Sequence, residues 1–139
     1  MQVKMDGFAA EKIIPASDSV RLLDEICEEL DYRSLTRAYS HIGRRPATSP
    51  ITLFKILAYG GMDGKYSSRE LARACNRDIN YIWLLGDEAA PNHSEITRFR
   101  SQRLSECCED LFYQLVTNVL KALLGKNRPP LWVLSLIRT

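Results

Sequence analysis

The 139-residue sequence lacks most of the motifs that identify an enzyme. It contains no glycine-rich phosphate loop, no G-x-S-x-G sequence and no H-E-x-x-H sequence, so the common signatures of nucleotide hydrolases, serine hydrolases and zinc proteases are missing. It has only two histidines, and its four cysteines form no C-x-x-C pair. We therefore expect no zinc site, and Cys27 and Cys75, which occupy apolar helical positions, are predicted to be buried thiols.

Long apolar runs and a secretion signal are also missing. No segment approaches the roughly 18–20 apolar residues that a membrane-spanning helix needs, and no apolar signal region follows the N-terminus. We therefore expect a cytoplasmic protein. Hydrophobic residues make up 45% of the chain and charged residues 26%, which is typical of a folded domain and not of a disordered chain.

Charged residues are unevenly distributed along the chain. No Asp or Glu follows Asp110, so the last part of the chain cannot form a carboxylate metal site. The segment 33–77 holds nine basic and only two acidic residues, although the net charge of the whole chain is +2. A basic segment in a nearly neutral chain is typical of nucleic-acid binding, and it also fits an acidic protein partner.

The spacing of apolar residues predicts an all-α fold. Residues 1–17 show no clear period and are predicted to form an extended lead-in, whereas residues 18–124 show helical periodicity. Helices are predicted from Asp18, around Leu35–Tyr39, at 50–60, 67–76 and 78–85, from Ser94, and at 105–124. The sequence therefore predicts a compact bundle of short helices with one longer C-terminal helix. The short helices at 50–85, joined by tight turns, favour a helix-turn-helix-like arrangement.

Capping residues mark the starts of several predicted helices. The strongest is Ser49 before Pro50, because Ser is a good N-cap and Pro suits the first helical position. Gly60-Gly61 is predicted to end the helix that begins there. The other N-cap candidates are Ser67, Asp78 and the cluster Asn92-His93-Ser94.

The helix at 67–76 carries a row of arginines on one side. Arg69, Arg73 and Arg77 follow one another at i, i+4 spacing, opposite an apolar side. Such like charges repel each other by a few tenths of a kcal/mol per pair. They either face a polyanion or form a solvated basic face, and both interpretations stay open at this point.

Six arginines are the candidate DNA contacts, all of them to phosphate groups. Two lie in a loop, three on the helix at 67–76 and one on the helix from Ser94; they are Arg44, Arg45, Arg69, Arg73, Arg77 and Arg98. Arg100 and Arg103 flank the apolar side of their helix, so we expect them to pack or to pair with acidic neighbours.

The C-terminal part of the chain is mostly apolar. The helix at 105–124 has a wide apolar stripe, which fits core packing and also fits self-association. Within the tail, 125–139, the segment 131–137 has the length of a strand but no partner in an all-α domain. The tail therefore looks truncated.

Four motifs in order carry a resemblance to a known family. They are Pro50–Leu57, Tyr66–Leu71, Tyr81–Gly86 and Pro91–Arg100. Together they resemble the N-terminal domain of DDE transposases from bacterial insertion sequences, over about 18–124. The family commonly has Asp where this chain has Asn92, and both residues can cap a helix.

The resemblance implies a function in DNA transposition. In that family the N-terminal helical domain recognises the terminal inverted repeats of the element. A following RNase H-like domain holds three carboxylates that bind two Mg²⁺ ions for strand cleavage and joining. In the place of its first catalytic strand this chain has 131–137, which contains no carboxylate.

We therefore expect a DNA-binding fragment of a transposase that is not an enzyme by itself. Its expected partner is double-stranded DNA, and no cofactor is expected apart from the Mg²⁺ of the missing catalytic domain. Two alternatives remain open. The chain could be an interaction module that pairs with itself or with a full-length transposase and inhibits it, or it could be a non-functional relic.

Overall fold

The helical periodicity of the sequence corresponds to an all-α fold. The computed structural model describes the backbone of residues 7–39 and 48–124; within these ranges it describes the side chains except those of 38, 39, 102–108, 123 and 124. These residues form eight α-helices, one π-helical segment and no strand. The α-helices are α1 (Gly7–Ile13), α2 (Ser19–Glu28), α3 (Arg33–Tyr39), α4 (Pro50–Asp63), α5 (Ser68–Arg77), α6 (Ile79–Leu85), α7 (His93–Arg98) and α8 (Leu104–Leu124). The π segment is Phe99–Arg103, between α7 and α8.

Three of the predicted N-caps make the expected hydrogen bond. Ser49, Ser67 and Asn92 each accept a hydrogen bond from the backbone N–H three residues later, at 3.2, 3.0 and 2.9 Å. Asp78 occupies the N-cap position of α6, but its side chain makes no capping hydrogen bond. Its carboxylate instead lies 3.4 Å from Lys65 Nζ. A tertiary ion pair has replaced the predicted local cap.

Helix α4 is the buried centre of the fold, as its apolar sequence predicts. It contacts α2, α3, α5 and α6. The ring of Phe54 packs against the rings of Tyr32 and Phe112, with centroids 6.0 and 5.4 Å away. The ring of Tyr59 lies 5.0 Å from that of Tyr81. Aromatic contacts therefore join α4 to α6, to α8 and to the residue before α3.

The predicted end of α4 at Gly60-Gly61 is wrong, because the helix continues to Asp63 and ends at Gly64. Gly64 has φ of 75°, a left-handed conformation that favours glycine at the end of a helix. Gly60 lies inside the helix, and its lack of a side chain lets Leu71 of α5 and the turn after α4 approach it closely. A Cβ at this position would lie 2.6 Å from Leu71 Cδ2 and 2.8 Å from Lys65 O.

The extended lead-in predicted for residues 1–17 is wrong where the structure describes it, because Gly7–Ile13 forms α1. This helix packs on α6. The approach is so close that a Cβ on Gly7 would lie 2.5 Å from Gly86 Cα. Its buried residues are the small Gly7 and Ala10, whereas Phe8 and Ile13 are exposed, so its large apolar residues do not mark the buried side. Tertiary contacts stabilise this short helix.

Arg21 of α2 binds the C-terminal end of α1. Its guanidinium group donates hydrogen bonds to the carbonyl oxygens of Glu11 and Ile14, at 2.8 and 2.7 Å. It also lies 5.2 Å from the centroid of the Trp83 ring on α6. Trp83 Nε1 in turn donates a hydrogen bond to the carboxylate of Glu11. The charged and aromatic side chains of three helices therefore fix α1 in place.

The helix predicted from Ser94 and the one predicted at 105–124 are joined. α7, the π segment and α8 follow one another from His93 to Leu124 without an intervening loop. A π turn adds one residue to a helical turn, so the residues after it are rotated about the helix axis relative to those before it. The apolar sides of α7 and α8 are therefore offset from each other. The tail at 125–139, with its predicted strand, lies outside the described residues. The division into a lead-in, a helical domain and a tail stays a prediction.

Candidate nucleic-acid interface

The arginine row of α5 lies in solvent. We call Arg69, Arg73 and Arg77 the arginine stripe; all three are exposed. The opposite side of the helix contributes Leu71 and Cys75 to the core, at 0% and 2% exposure. No residue of the arginine stripe forms an ion pair with another residue of the described ranges. The amphipathic helix predicted from the sequence is therefore present, and no carboxylate of the described residues neutralises its charged side.

Helix α7 lies against α5, and two hydroxyl groups form part of the contact. Ser68 Oγ and Thr97 Oγ1 lie 2.9 Å apart and share a hydrogen bond. Ile96 is 1% exposed, whereas Arg98, which follows Thr97, is exposed. Arg98 also forms no ion pair with a described residue. The structure thus places the Arg98 helix directly beside the helix of the arginine stripe.

Other basic residues of the segment 33–77 are neutralised within the fold. Lys55 is 7% exposed, and its Nζ donates to Asp24 and Glu28 of α2. Lys65 Nζ lies 2.6 Å from Asp63 Oδ2. An exposed ion pair joins Arg33 and Asp31, with Nη2 and Oδ2 2.7 Å apart. Fewer positive charges of this segment are therefore available to a polyanion than the nine that the sequence contains.

The structure tests only part of the predicted site. Arg44 and Arg45 lie outside the described residues, so their position relative to α5 stays a prediction. Arg100 was expected to pack or to pair with an acidic neighbour. Arg100 is exposed and forms no ion pair with a described residue, so the expected pairing is absent among the described side chains. The side chain of Arg103 is not among those described.

The other helices of the predicted helix-turn-helix region are covered. Residues 52–56 of α4 are all buried. α6 contributes Tyr81, Leu84 and Leu85 to the core, and it also packs against α1. Among the three helices at 50–85, α5 is therefore the one with an exposed basic side, and α7 lies next to it. Which helix enters a DNA groove stays a prediction.

The apolar stripe of α8 is largely used inside the chain. Leu111, Leu115 and Val119 are at most 1% exposed and belong to the core. This confirms core packing for that part of the stripe. Self-association through these three residues would require the fold to open. Tyr113 on the same helix is 74% exposed and lies outside this core.

The described cysteines are core thiols, as predicted. Cys27 and Cys75 are buried and unpaired by disulfides. Burial raises the pKa of each thiol to about 12, so neither is a thiolate near neutral pH. Within the described residues, no group of three or more His, Cys, Asp or Glu side chains is arranged to hold a metal ion. The same part of the chain contains no helix long and apolar enough to cross a membrane.

The sequence did not predict the contact between Ser68 and Thr97. Their hydroxyl groups meet across 29 positions of sequence, and no local pattern predicts such a contact. Tyr66, which precedes the N-cap of α5, is also missed; its side chain is 68% exposed. An aromatic residue directly before the start of a basic helix is the signal that the sequence offers for it.

Comparison with known proteins identifies one family. A family sequence profile described as "Transposase domain (DUF772)" matches residues 8–102. The match covers α1 to most of the π segment, and so includes both α5 and α7. No curated protein and no solved structure matches the chain.

Proposed function

Because the chain belongs to the family of transposase domains described as DUF772, we propose that its helical domain binds double-stranded DNA at the ends of an insertion element. The observation that carries this proposal is the arginine stripe of α5. Its three guanidinium groups remain exposed, although other cations of the same segment are neutralised by carboxylates. Arg98 on the neighbouring helix extends the same interface, and Arg44 and Arg45 are further candidate contacts.

The spacing of the arginine stripe suits a contact with phosphate groups. Residues four apart on a helix are separated by about 6 Å along its axis, so the stripe extends over about 12 Å. Mutual repulsion of its charges opposes their alignment in the free protein. A phosphate backbone would relieve this repulsion, and binding would release condensed counterions into solution. Phosphate contacts of this kind position a protein on DNA without reading sequence.

We further propose that this domain holds DNA and does not cut it. Strand cleavage by the two-metal mechanism needs clustered carboxylates, and the described residues contain no such cluster. The carboxylate of Glu88, which follows α6, binds the start of α4. Its two oxygens accept hydrogen bonds from Ser49 N at 2.6 Å and Thr52 Oγ1 at 2.5 Å. Cleavage would then depend on residues outside this domain.

Fluorescence anisotropy with a labelled random-sequence 30-base-pair duplex, at several salt concentrations, tests the proposal. We expect log K to fall linearly with log [salt]. In the double variant Arg69→Gln/Arg73→Gln the slope should decrease in magnitude by about 1.8, because each phosphate contact contributes about 0.9. An unchanged slope and affinity would show that the stripe is only a solvated basic face.

A control variant with the same loss of charge separates contact from net charge. Arg33→Gln/Lys121→Gln removes two positive charges from α3 and α8. Its salt slope should stay close to that of the wild-type protein if the interface is at α5. Equal losses in both double variants would indicate non-specific attraction by net charge and would contradict the proposed site.

A further inference from the structure

We propose that the exposed edge of α7 reads base edges in the major groove, while the arginine stripe of α5 holds the phosphate backbone. This inference rests on the proposed DNA binding and assigns separate tasks to the two exposed basic helices. The α7 edge consists of the exposed residues of α7, which are His93, Ser94, Thr97 and Arg98, together with Ser101 of the π segment. Arg98 then contacts a base and not a phosphate group.

The residues of the α7 edge share one side of the helix. At 3.6 residues per turn, positions 93, 94, 97 and 98 fall within an arc of about 140°. Ser101 is tied to this side because its Oγ donates a hydrogen bond to Thr97 O at 2.9 Å. Ile96 and Phe99 lie outside the arc and are each 1% exposed. The edge is therefore a continuous exposed strip on a helix that is anchored by its apolar side.

The composition of the α7 edge suits base readout better than that of α5. Serine and threonine side chains are short, so the helix can approach base edges closely. Ser94 can donate or accept a hydrogen bond there, whereas Thr97 and Ser101 already donate within the protein and can accept one. A single long side chain, Arg98, can donate two hydrogen bonds to one guanine. The arginine stripe of α5 instead carries three long cations at regular spacing, a pattern that fits phosphates.

The negative charge of α7 lies outside the α7 edge and is partly buried. Glu95 is the only acidic residue of this helix. One of its carboxylate oxygens, Oε2, is completely buried and has no hydrogen-bond partner among the described residues. A carboxylate on the α7 edge would repel DNA, but Glu95 lies about 60° beyond the arc of this edge, so the edge itself carries no acidic side chain.

The contact between α5 and α7 fixes the two tasks side by side. The hydroxyls of Ser68 and Thr97 lie 2.9 Å apart. Arg69 and Arg98 are the next residues along their helices, so a phosphate contact and a base contact would arise next to each other. In helix-turn-helix proteins one helix similarly crosses the DNA backbone while the neighbouring helix contacts base edges. Here α6 separates the two helices in sequence, and tertiary packing brings them together.

Selection from a pool of duplexes with 20 randomised base pairs, followed by sequencing, tests this inference. The wild-type chain should enrich one motif. Ser94→Ala/Arg98→Ala should lose the base preference at two or three adjacent positions of that motif, by about tenfold per position. Arg69→Gln/Arg73→Gln should recover less DNA but enrich the same motif. Circular dichroism should show unchanged helicity, because all four side chains are exposed.

The possible failures are distinguishable. If the wild-type chain retains no DNA at low salt, the proposed function itself is wrong. If it retains DNA but enriches no motif, DNA binding stands and base readout by α7 is wrong. The inference is also wrong if Ser94→Ala/Arg98→Ala enriches the wild-type motif unchanged, or if the α5 variant is the one that loses the motif.

Discussion

Lys55 Nζ donates a hydrogen bond to Asp24 Oδ1 at 2.8 Å, across the interface between α4 and α2. A lysine from the most basic segment of the chain is thereby almost fully buried, at 7% exposure. Burial alone would lower the pKa of Lys55, but the hydrogen bonds to Asp24 and Glu28 outweigh it and leave that pKa above its ordinary value. Lys55 therefore stays charged and contributes to the fold, and it offers no free charge to DNA.

Lys55→Met should reduce stability without affecting DNA binding. The substitution keeps most of the side-chain volume but leaves the carboxylates of Asp24 and Glu28 unpaired. These two side chains are 29% and 66% exposed, so water can rehydrate them. We therefore expect the free energy of unfolding to fall by about 1–2 kcal/mol, less than for a fully buried pair. Urea denaturation measures this change.

Two controls check the assignment of Lys55. Lys121→Met, at an exposed position of α8, should change the free energy of unfolding by no more than about 0.5 kcal/mol. The salt slope of DNA binding should be the same for Lys55→Met and the wild-type protein. A slope reduced by about 0.9 would mean that Lys55 contacts a phosphate group after all.

Substitutions at the adjacent glycines of α4 should have opposite effects. At Gly60 a Cβ would meet Lys65 O, a backbone atom that cannot move aside, at 2.8 Å. Gly60→Ala should therefore destabilise the fold by about 1–3 kcal/mol through overpacking. At Gly61 a Cβ would meet no described atom within 4 Å. Gly61→Ala should stabilise the helix by about 0.4–1 kcal/mol, because it restricts the unfolded chain.

Thermal unfolding of the two glycine variants provides the measurement, each serving as control for the other. Equal stabilities for the two variants would contradict the close approach of Lys65 O to Gly60.

Arg21→Lys should loosen α1 selectively. Lysine cannot reproduce the planar fork that donates to Glu11 O and Ile14 O at the end of α1. We expect a loss of about 1–2 kcal/mol in the free energy of unfolding. Hydrogen–deuterium exchange should show faster exchange in Gly7–Ile13, with α5 and α7 unchanged. Uniformly faster exchange across all helices would contradict a local role for Arg21.

The free energy of unfolding should fall at low pH, and Asp31 should contribute to this fall. Hydrogen bonds from the Arg33 side chain and backbone lower the pKa of Asp31 to about 2. Since the folded-state pKa lies below the unfolded one, the stabilisation is complete above about pH 4 and is lost as the pH falls towards 2. NMR titration of the Asp31 carboxyl carbon should show the low pKa, and Arg33→Gln should return it towards the ordinary value of 3.8. An ordinary pKa in the wild-type protein would contradict the pair.

Local signals in the sequence located most of the helices. The caps at Ser49, Ser67 and Asn92 are hydrogen bonds within three residues, so the sequence specifies them directly. Long amphipathic periods likewise predicted α2, α5 and α8. The misses are of another kind: the buried residues of α1, Gly7 and Ala10, are too small to mark an apolar side, and α4 continues through Gly60-Gly61 to Asp63 although this pair signals a helix end.

By itself, the sequence determined the helical class of the fold, the amphipathic α5 with its three arginines, and the resemblance that the family match confirms. Only the tertiary structure decided which positive charges remain available. Lys55, Lys65 and Arg33 are paired, whereas the arginine stripe and Arg98 form no ion pair with described residues. The physical reason is distance: helical periodicity and capping act within a few residues, and the pairs of Arg33 with Asp31 and of Lys65 with Asp63 are equally local. The burial of Lys55 against α2 and the contact of Ser68 with Thr97 instead join helices far apart in sequence.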